Sequence, residues 1–298
     1  MGLTITNAKK FIKEYDEISS PTKEDDFHFT ECLEYLIHET SDPYYMTMLG
    51  GYYYERKQFD LAEEYYLLAA ELNYESAYAC LGYIYYYGRT DKPNYQKAFE
   101  YYSKASEVGD ITSSYKVADM YRNGYFVEKN YDKYVEIIKS LYPKIKDTRN
   151  LFDPLPEIYS RLVKIYKNEG QIEMAVDLLF YAKNFQAQRL QYTSFFGDLT
   201  IMKYIILDLY SMIEFDETSI DLFDLYYALQ YPCTISIFMN GNEHVVHVDT
   251  DKNKSYIVMD NINYEDIDNF FSRAKIDNVK LSSLAYKIDY LVVTKWKS

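Results

Sequence analysis

The sequence is poor in the residues from which metal sites and disulfide frameworks are built. Its 298 residues include only four histidines and three cysteines. Cys32, Cys80 and Cys233 are far apart and form no CxxC pair, which argues against a zinc site or a disulfide framework. We therefore expect buried, reduced thiols, as in a cytoplasmic protein. The first residues, MGLTITNAKKFIKEYDE, also lack the apolar segment of a secretory signal.

Glycine is scarce too, and the glycine-rich motifs of catalysis are missing. The ten glycines form no GxxxxGK, GxGxxG or GxSxG pattern. His244 and His247 are the only close histidine pair, and a spacing of three places them on opposite faces of a predicted strand. Cys233 has no basic neighbour in sequence to activate its thiol. The sequence therefore predicts no catalytic residue, no metal site, no cofactor and no enzyme activity.

Long apolar runs and basic clusters are also lacking. No apolar run reaches the roughly 20 residues needed to span a bilayer. The net charge is −14, and residues 1–231 hold 24 basic against 37 acidic side chains, whereas residues 232–298 hold 8 against 9. An acidic surface repels phosphate backbones and anionic lipid head groups. We expect neither nucleic acid nor membrane among the partners.

Tyrosine is abundant, with 37 residues, and many of the tyrosines recur at a fixed distance. The segment 62–71, AEEYYLLAAE, aligns with 98–107, AFEYYSKASE, at a shift of 36 residues. The same shift carries Gly88 onto Gly124. Each unit contains two apolar stripes at helical spacing, joined near a glycine that suits a helix C-terminus. The pattern predicts an array of helix pairs.

These units resemble the Sel1-like branch of the tetratricopeptide superfamily. Residues 98–134 look like a nearly complete Sel1-like unit, with a YYSKA helix and an NGYFVEKNYDK loop, and residues 77–98 match equally well. Residues 44–70 lack the loop extension, and residues 157–183 resemble a plain tetratricopeptide. The resemblance covers residues 44–183. It implies a mainly α fold, a right-handed α-α solenoid, followed here by a small α+β C-terminal domain.

The flanking segments suggest three domains. Residues 1–43 read as an N-terminal cap of two helices at 4–18 and 25–41. The repeat domain, 44–231, would end with extra helices at 200–215 and 219–230. After Pro232 the spacing of apolar residues changes from helical to every second residue, and Asn240-Gly241 predicts a β-hairpin. The rest of the domain 232–298 would follow in order: a turn at 251–254, a strand, a helix at 264–274 capped by Asn263, and a closing strand at 291–296.

Helical geometry divides the tyrosines into two sets. Tyr53, Tyr85, Tyr121 and Tyr166 fall on the face that packs helix on helix in the resembled family, as do Tyr65 and Tyr101 in the second helices. Other positions correspond to the concave groove of that family. The groove positions that we predict to bind a partner are Tyr44, Tyr54, Glu55, Tyr83, Tyr86, Tyr87, Tyr115, Asp119, Arg122, Asn123, Lys164, Lys167 and Asn168.

Clustered exposed aromatics usually mark interaction sites, so the groove is expected to bind a protein or peptide segment. The competing interpretation is that a tyrosine-rich composition simply fills exposed helix faces. Two further hypotheses remain open. The C-terminal domain could carry a ligand-binding or catalytic activity that the solenoid positions, and the protein could form a homodimer.

Overall fold

Helices of the first part of the chain are separated by short polar or glycine-containing connections. In the computed structural model, residues 3–15, 17–18, 20–193, 196–251 and 254–296 are described. The chain forms two units, residues 1–137 and 138–298. The helices that begin in the first unit are α1 (Ile5–Tyr15), α2 (Lys23–Thr40), α3 (Pro43–Glu55), α4 (Phe59–Glu71), α5 (Glu75–Tyr87), α6 (Tyr95–Glu107), α7 (Ile111–Asn123) and α8 (Tyr131–Ile145).

The helix ends follow local chemistry. The Asp42 side chain accepts a hydrogen bond from the Tyr44 backbone N–H, and Pro43 occupies the first turn of α3. Gly88 and Gly124 end α5 and α7 with φ of 60° and 72°, a conformation that glycine adopts without strain. The two helices predicted at 4–18 and 25–41 are present as α1 and α2.

Close packing between consecutive helices depends on glycine in one and tyrosine in the next. A Cβ added at Gly50 would lie 2.6 Å from the Tyr66 ring, and one at Gly82 would lie 2.5 Å from the Tyr102 ring. Both tyrosines are buried. Four of the six tyrosines predicted to pack between helices are seen to do so as stacked pairs, and Tyr85 stacks on Tyr101 with ring centroids 5.7 Å apart. The equivalent pair, Tyr53 and Tyr65, also stacks at 5.7 Å.

The second unit begins with long helices and continues into a β-sheet. Its helices are α9 (Leu155–Asn168), α10 (Ile172–Arg189), α11 (Phe196–Tyr210) and the one-turn α12 (Leu225–Ala228). The predicted helix at 200–215 therefore begins and ends earlier. The predicted helix at 219–230 is wrong in extent, because the Asp221 side chain caps a short 3-10 turn by accepting from the Phe223 N–H. Only residues 222–228 are helical there.

A five-stranded sheet has the order β4-β3-β2-β1-β7, and every neighbouring pair is antiparallel. The strands are β1 (Cys233–Met239), β2 (Asn242–Asp251), β3 (Lys254–Met259), β4 (Ile262–Tyr264) and β7 (Tyr290–Trp296), with a separate two-stranded pair of β5 (Lys275–Ile276) and β6 (Val279–Lys280). The predicted Asn240-Gly241 hairpin is confirmed: both residues have positive φ, 52° and 76°. The predicted closing strand is also confirmed as β7, which pairs with β1.

Two details at the turns of this sheet differ from the sequence prediction or cannot be compared with it. Asn263 does not cap a helix, because it lies in β4. The helix α13 (Ile267–Arg273) begins later, where the Asp266 side chain accepts a hydrogen bond from the Asn269 N–H. The middle of the predicted turn at 251–254, residues 252 and 253, lies outside the described residues.

One hydrophobic core joins the sheet to the helices that precede it. Ile235 and Ile237 of β1 pack in the same cluster as Met202 and Ile206 of α11 and Phe223 of the 3-10 turn. The predicted domain boundary at 231/232 therefore separates residues that share a core. Within the described ranges, no helix is long and apolar enough to cross a membrane.

Candidate functional site

The tyrosines of the α5 C-terminus form a continuous aromatic surface with the end of α3. Tyr83 contacts Tyr87 with centroids 4.4 Å apart, and Tyr86 contacts Tyr87 edge to face at 5.0 Å. Tyr54 of α3 meets Tyr83 edge to face at 5.8 Å. Tyr87 is 41% exposed, whereas Tyr54, Tyr83 and Tyr86 are half-buried. The predicted set Tyr54, Tyr83, Tyr86 and Tyr87 is thus brought together on one surface.

Arg89 lies across this aromatic surface. Because Gly88 ends α5 in the left-handed conformation, the chain turns back and places the guanidinium over the rings. The guanidinium carbon is 5.2 Å from the Tyr87 centroid and 5.5 Å from the Tyr83 centroid. It is also 5.9 Å from the centroid of Tyr54. Its Nη2 donates to the Tyr83 hydroxyl at 3.4 Å. The cation is therefore held by ring faces rather than by a carboxylate.

Lys116 of α7 supplies a second cation to the same surface. Its ammonium lies 5.2 Å and 5.1 Å from the Tyr86 and Tyr87 centroids. The ammonium also donates to the Tyr87 hydroxyl at 2.8 Å. Within the described part of the chain, neither Lys116 nor Arg89 is paired with a carboxylate. We call this surface the aromatic–cation patch; it consists of Tyr54, Tyr83, Tyr86, Tyr87, Arg89 and Lys116.

A buried hydroxyl lies beneath the aromatic–cation patch. Tyr102 of α6 is 1% exposed, and its hydroxyl has no hydrogen-bond partner among the described residues. It packs edge to face against Tyr86 at 6.1 Å. Burial raises the pKa of Tyr102, and the hydroxyls of Tyr87 and Tyr83 add to the shift. Burial also raises the pKa of Tyr54 and of Tyr86 to about 12, so these two hydroxyls are neutral donors at physiological pH.

The predicted residues of α7 differ in their exposure. Tyr115 and Asp119 are only 7% and 5% exposed, so a direct contact with a partner is not favoured for these two. Both belong to the buried part of α7, together with Val117, Ala118 and Met120. Arg122 pairs with Asp119 at 3.5 Å, which offsets part of its charge, and its Nε donates to the Asn123 side chain at 3.4 Å. Asn123 is exposed.

The other predicted residues are exposed, and none of them contributes a contact described above for the aromatic–cation patch. Tyr44 is 47% exposed and packs on Tyr45 at the start of α3, about 15 Å along the helix from Tyr54 at 1.5 Å per residue. Glu55 is exposed at the end of α3. The three remaining residues, Lys164, Lys167 and Asn168, belong to α9 of the second unit and are exposed. The Lys167 ammonium donates to the Ser211 hydroxyl at 3.2 Å.

Sequence reasoning missed both cations of the aromatic–cation patch. Arg89 directly follows the helix-ending Gly88, where a left-handed turn can carry a side chain back over the helix. Lys116 lies three residues before Asp119 and therefore on the same face of α7. These signals were available in the sequence, but neither indicates a ring contact with another helix.

The histidines and cysteines singled out in the sequence do not cluster within the described residues. No group of three or more His, Cys, Asp or Glu side chains within them could hold a metal ion. His244 is engaged with Asp260, whose carboxylate lies 2.6 Å from its Nδ1. Burial raises the pKa of Cys32, Cys80 and Cys233 to about 11, which keeps these thiols protonated.

Comparison with known proteins shows which helices match a repeat family. The family model of the Sel1 repeat matches residues 43–74, 76–110 and 112–133, which correspond to α3–α4, α5–α6 and α7 with its following loop. The matched residues end before α9–α10, so the tetratricopeptide interpretation of 157–183 stays a prediction. The aromatic–cation patch draws its residues from all three matched segments.

One solved structure supports the repeat fold, and a second gives a weaker superposition. A Sel1 repeat protein from Oxalobacter formigenes superposes with a TM-score of 0.51 at 20% identity, covering 68% of this chain and 78% of that one. The protective antigen c5321 of uropathogenic Escherichia coli, which displays an SLR fold, superposes with a TM-score of 0.42 at 18% identity, covering 72% of this chain and 50% of that one. Among curated proteins no match was found.

Proposed function

We propose that the protein is a non-enzymatic interaction protein whose aromatic–cation patch binds an extended, acidic segment of a partner protein. The observation that carries this proposal is a pair of cations, Arg89 and Lys116, held on tyrosine rings without carboxylate partners in the described part of the chain. A chain of net charge −14 has ample acid to neutralise its cations. Leaving two of them uncompensated favours an external anion.

The patch combines the two contributions that binding surfaces need. The rings of Tyr83 and Tyr87 offer apolar area with few rotors, and their hydroxyls add directional hydrogen bonds. Arg89 has five N–H donors, of which Tyr83 takes one at 3.4 Å. The remaining donors can receive a carboxylate while the guanidinium keeps its contact with the rings. Charge-assisted bonds of this kind typically contribute about 1.5–3 kcal/mol each.

The experiment is affinity capture from the native lysate with wild-type and variant bait, read by mass spectrometry. The variant Arg89→Gln/Lys116→Gln removes both charges but keeps hydrogen-bonding capacity and side-chain length close to those of the native residues. We expect it to lose partners that the wild type retains. Synthetic peptides covering the captured partners should then bind with an affinity that falls steeply as salt rises, since the contact depends on charge.

The control variant is Lys104→Gln/Lys133→Gln. These lysines also lie near tyrosine rings, 5.4 Å from Tyr78 and 5.9 Å from Tyr121, but outside the patch. The change in net charge is identical, so a general electrostatic effect would weaken both variants alike. If both variants capture the wild-type set of partners, the proposal fails.

Two alternatives to a solenoid-centred function stay open. The second unit could carry a ligand-binding or catalytic activity, and it contains a cleft of about 540 Å³ lined by residues including Tyr264, Arg273 and Lys275. The protein could also form a homodimer, which light scattering would detect. The proposal further includes a cytoplasmic location and the absence of nucleic acid and membrane partners, for which the excess of acidic residues is the support.

A further inference from the structure

The two edges of the five-stranded sheet differ in how well they are protected. One edge is β4, which is only three residues long. The other is β7, seven residues without proline, and within the described residues no further strand pairs with it. Natural edge strands are usually short, charged, bulged or covered, because unpaired backbone groups invite another strand. The sequence YLVVTKW holds a single charge, Lys295, near its end.

The accessible part of β7 is its first half. Trp296 at the end of the strand is stacked by Phe215 at 4.8 Å and contacted by Tyr231 at 5.6 Å. The pairing with β1 is also irregular near Thr234 and Ile235. At the start of the strand, Tyr290 and Val292 are 56% and 40% exposed. A segment of four or five residues can therefore pair there.

A cleft of about 640 Å³ adjoins the same half of β7. It is lined on the strand side by Asp289, Tyr290 and Leu291 and on the other side by residues of α10 and of the loop 213–221. Leu291 faces the core side of the sheet, opposite Tyr290. A strand added about 4.8 Å beyond β7 would thus direct every second side chain toward the cleft.

The charge of the cleft defines the side chains it can accept. Five carboxylates line it against one cation, Lys183. Lys183 is already paired with Asp221 and Asp224, at 2.7 Å each. The other three carboxylates, Glu214, Asp216 and Asp289, have no cationic partner among the described residues.

We propose that β7 binds an extended basic segment of a partner protein by strand addition. Lysine or arginine at every second position would face the cleft, and apolar residues between them would lie beside Tyr290 and Val292. The backbone bonds would supply general affinity and the alternating pattern would supply specificity. A second copy of this chain fits poorly, because pairing β7 with itself would bring two acidic clefts together.

The test uses the full-length protein and a fluorescent octapeptide that alternates valine with lysine. Fluorescence polarisation at physiological salt should show saturable binding. The same peptide with alternate backbone amides N-methylated keeps its charge but cannot complete a strand ladder, and it should bind at least tenfold more weakly. A valine–glutamate peptide should not bind.

A charge variant tests the chain side. Glu214→Gln/Asp289→Asn should weaken the valine–lysine peptide about three- to tenfold, as expected for two partly exposed charge contacts. Glu107→Gln/Glu128→Gln in the first unit changes net charge equally and should leave the affinity unchanged. Equal binding of the methylated and unmethylated peptides, or equal losses in both variants, would show only attraction to an acidic protein and would overturn the proposal.

Discussion

Adjacent glycines in α3 provide a direct test of the packing between repeat helices. A Cβ at Gly50 would lie 2.6 Å and 2.7 Å from two ring carbons of Tyr66, distances that require the ring or the helix to move. A Cβ at Gly51 would meet only the Tyr66 hydroxyl, at 3.8 Å, which is ordinary contact. Both residues are helical, so replacing either by alanine changes the intrinsic helix propensity in the same way.

The magnitudes follow from two opposing effects. Alanine is favoured over glycine inside a helix by about 1 kcal/mol. Overpacking a tight site costs roughly 1–3 kcal/mol, and Tyr66 is only 4% exposed, so its ring has little room to yield. We therefore expect Gly51→Ala to stabilise the protein by up to about 1 kcal/mol. The free energy of unfolding of Gly50→Ala should lie about 1–3 kcal/mol below that of Gly51→Ala, because the propensity term cancels in the comparison.

The measurement is urea unfolding of both variants followed by far-ultraviolet circular dichroism. Repeat arrays can unfold in more than one step, so the two variants are compared at the same transition and with equal slopes. Gly82→Ala should behave like Gly50→Ala, since its Cβ would lie 2.5 Å from Tyr102. Equal midpoints for Gly50→Ala and Gly51→Ala would refute the close glycine–tyrosine packing.

Three further predictions concern pH, a buried ion pair and the domain boundary. The neutral forms of Tyr54 and Tyr86 are stabilised in the fold, where their pKa is about 12 rather than 10.0. Their contribution to stability is therefore complete below pH 10 and is lost as pH rises through 12. A combined titration of tyrosinate absorbance and circular dichroism would detect this loss. Ordinary tyrosine titration near pH 10 without unfolding would contradict it. Lys183→Met leaves the 2%-exposed Asp224 side chain without its cation. The free energy of unfolding, measured in urea, should fall by about 3–5 kcal/mol. An unchanged midpoint would show that the pair is not buried in solution. A fragment of residues 232–298 should lack the dispersed amide spectrum of a folded domain, because the sheet shares its core with α11; a well-dispersed spectrum would support the boundary at 231/232.

The regular features of the fold could be predicted because they depend on short-range rules. Gly88 and Gly124 were expected at helix ends, and both adopt the left-handed conformation there. Asn240-Gly241 was expected to form a hairpin turn and does so, since its backbone preference is local. The sequence prediction placed the cap of α13 at Asn263, although Asn263 and Asp266 are both good capping residues. Because Asn263 pairs with β3 as part of β4, the cap falls on Asp266.

The aromatic surface was only partly predictable. Helical spacing alone separated Tyr85, which stacks on Tyr101, from Tyr83 and Tyr87, which contribute to the patch. Spacing within one helix could not show that Tyr115 is buried in the fold. Exposure depends on how neighbouring helices pack, and that information is not contained in the period of a single helix.

The sequence by itself determined the repeat length, the packing face of α5 and the position of the main hairpin, because these follow from periodicity and backbone preference. Only the tertiary structure decided that Arg89 and Lys116 meet on the ring of Tyr87, since Arg89 lies in the turn after α5 and Lys116 lies in α7. It likewise decided that β7 is an edge strand beside an acidic cleft, because the order of strands depends on pairing across long stretches of chain.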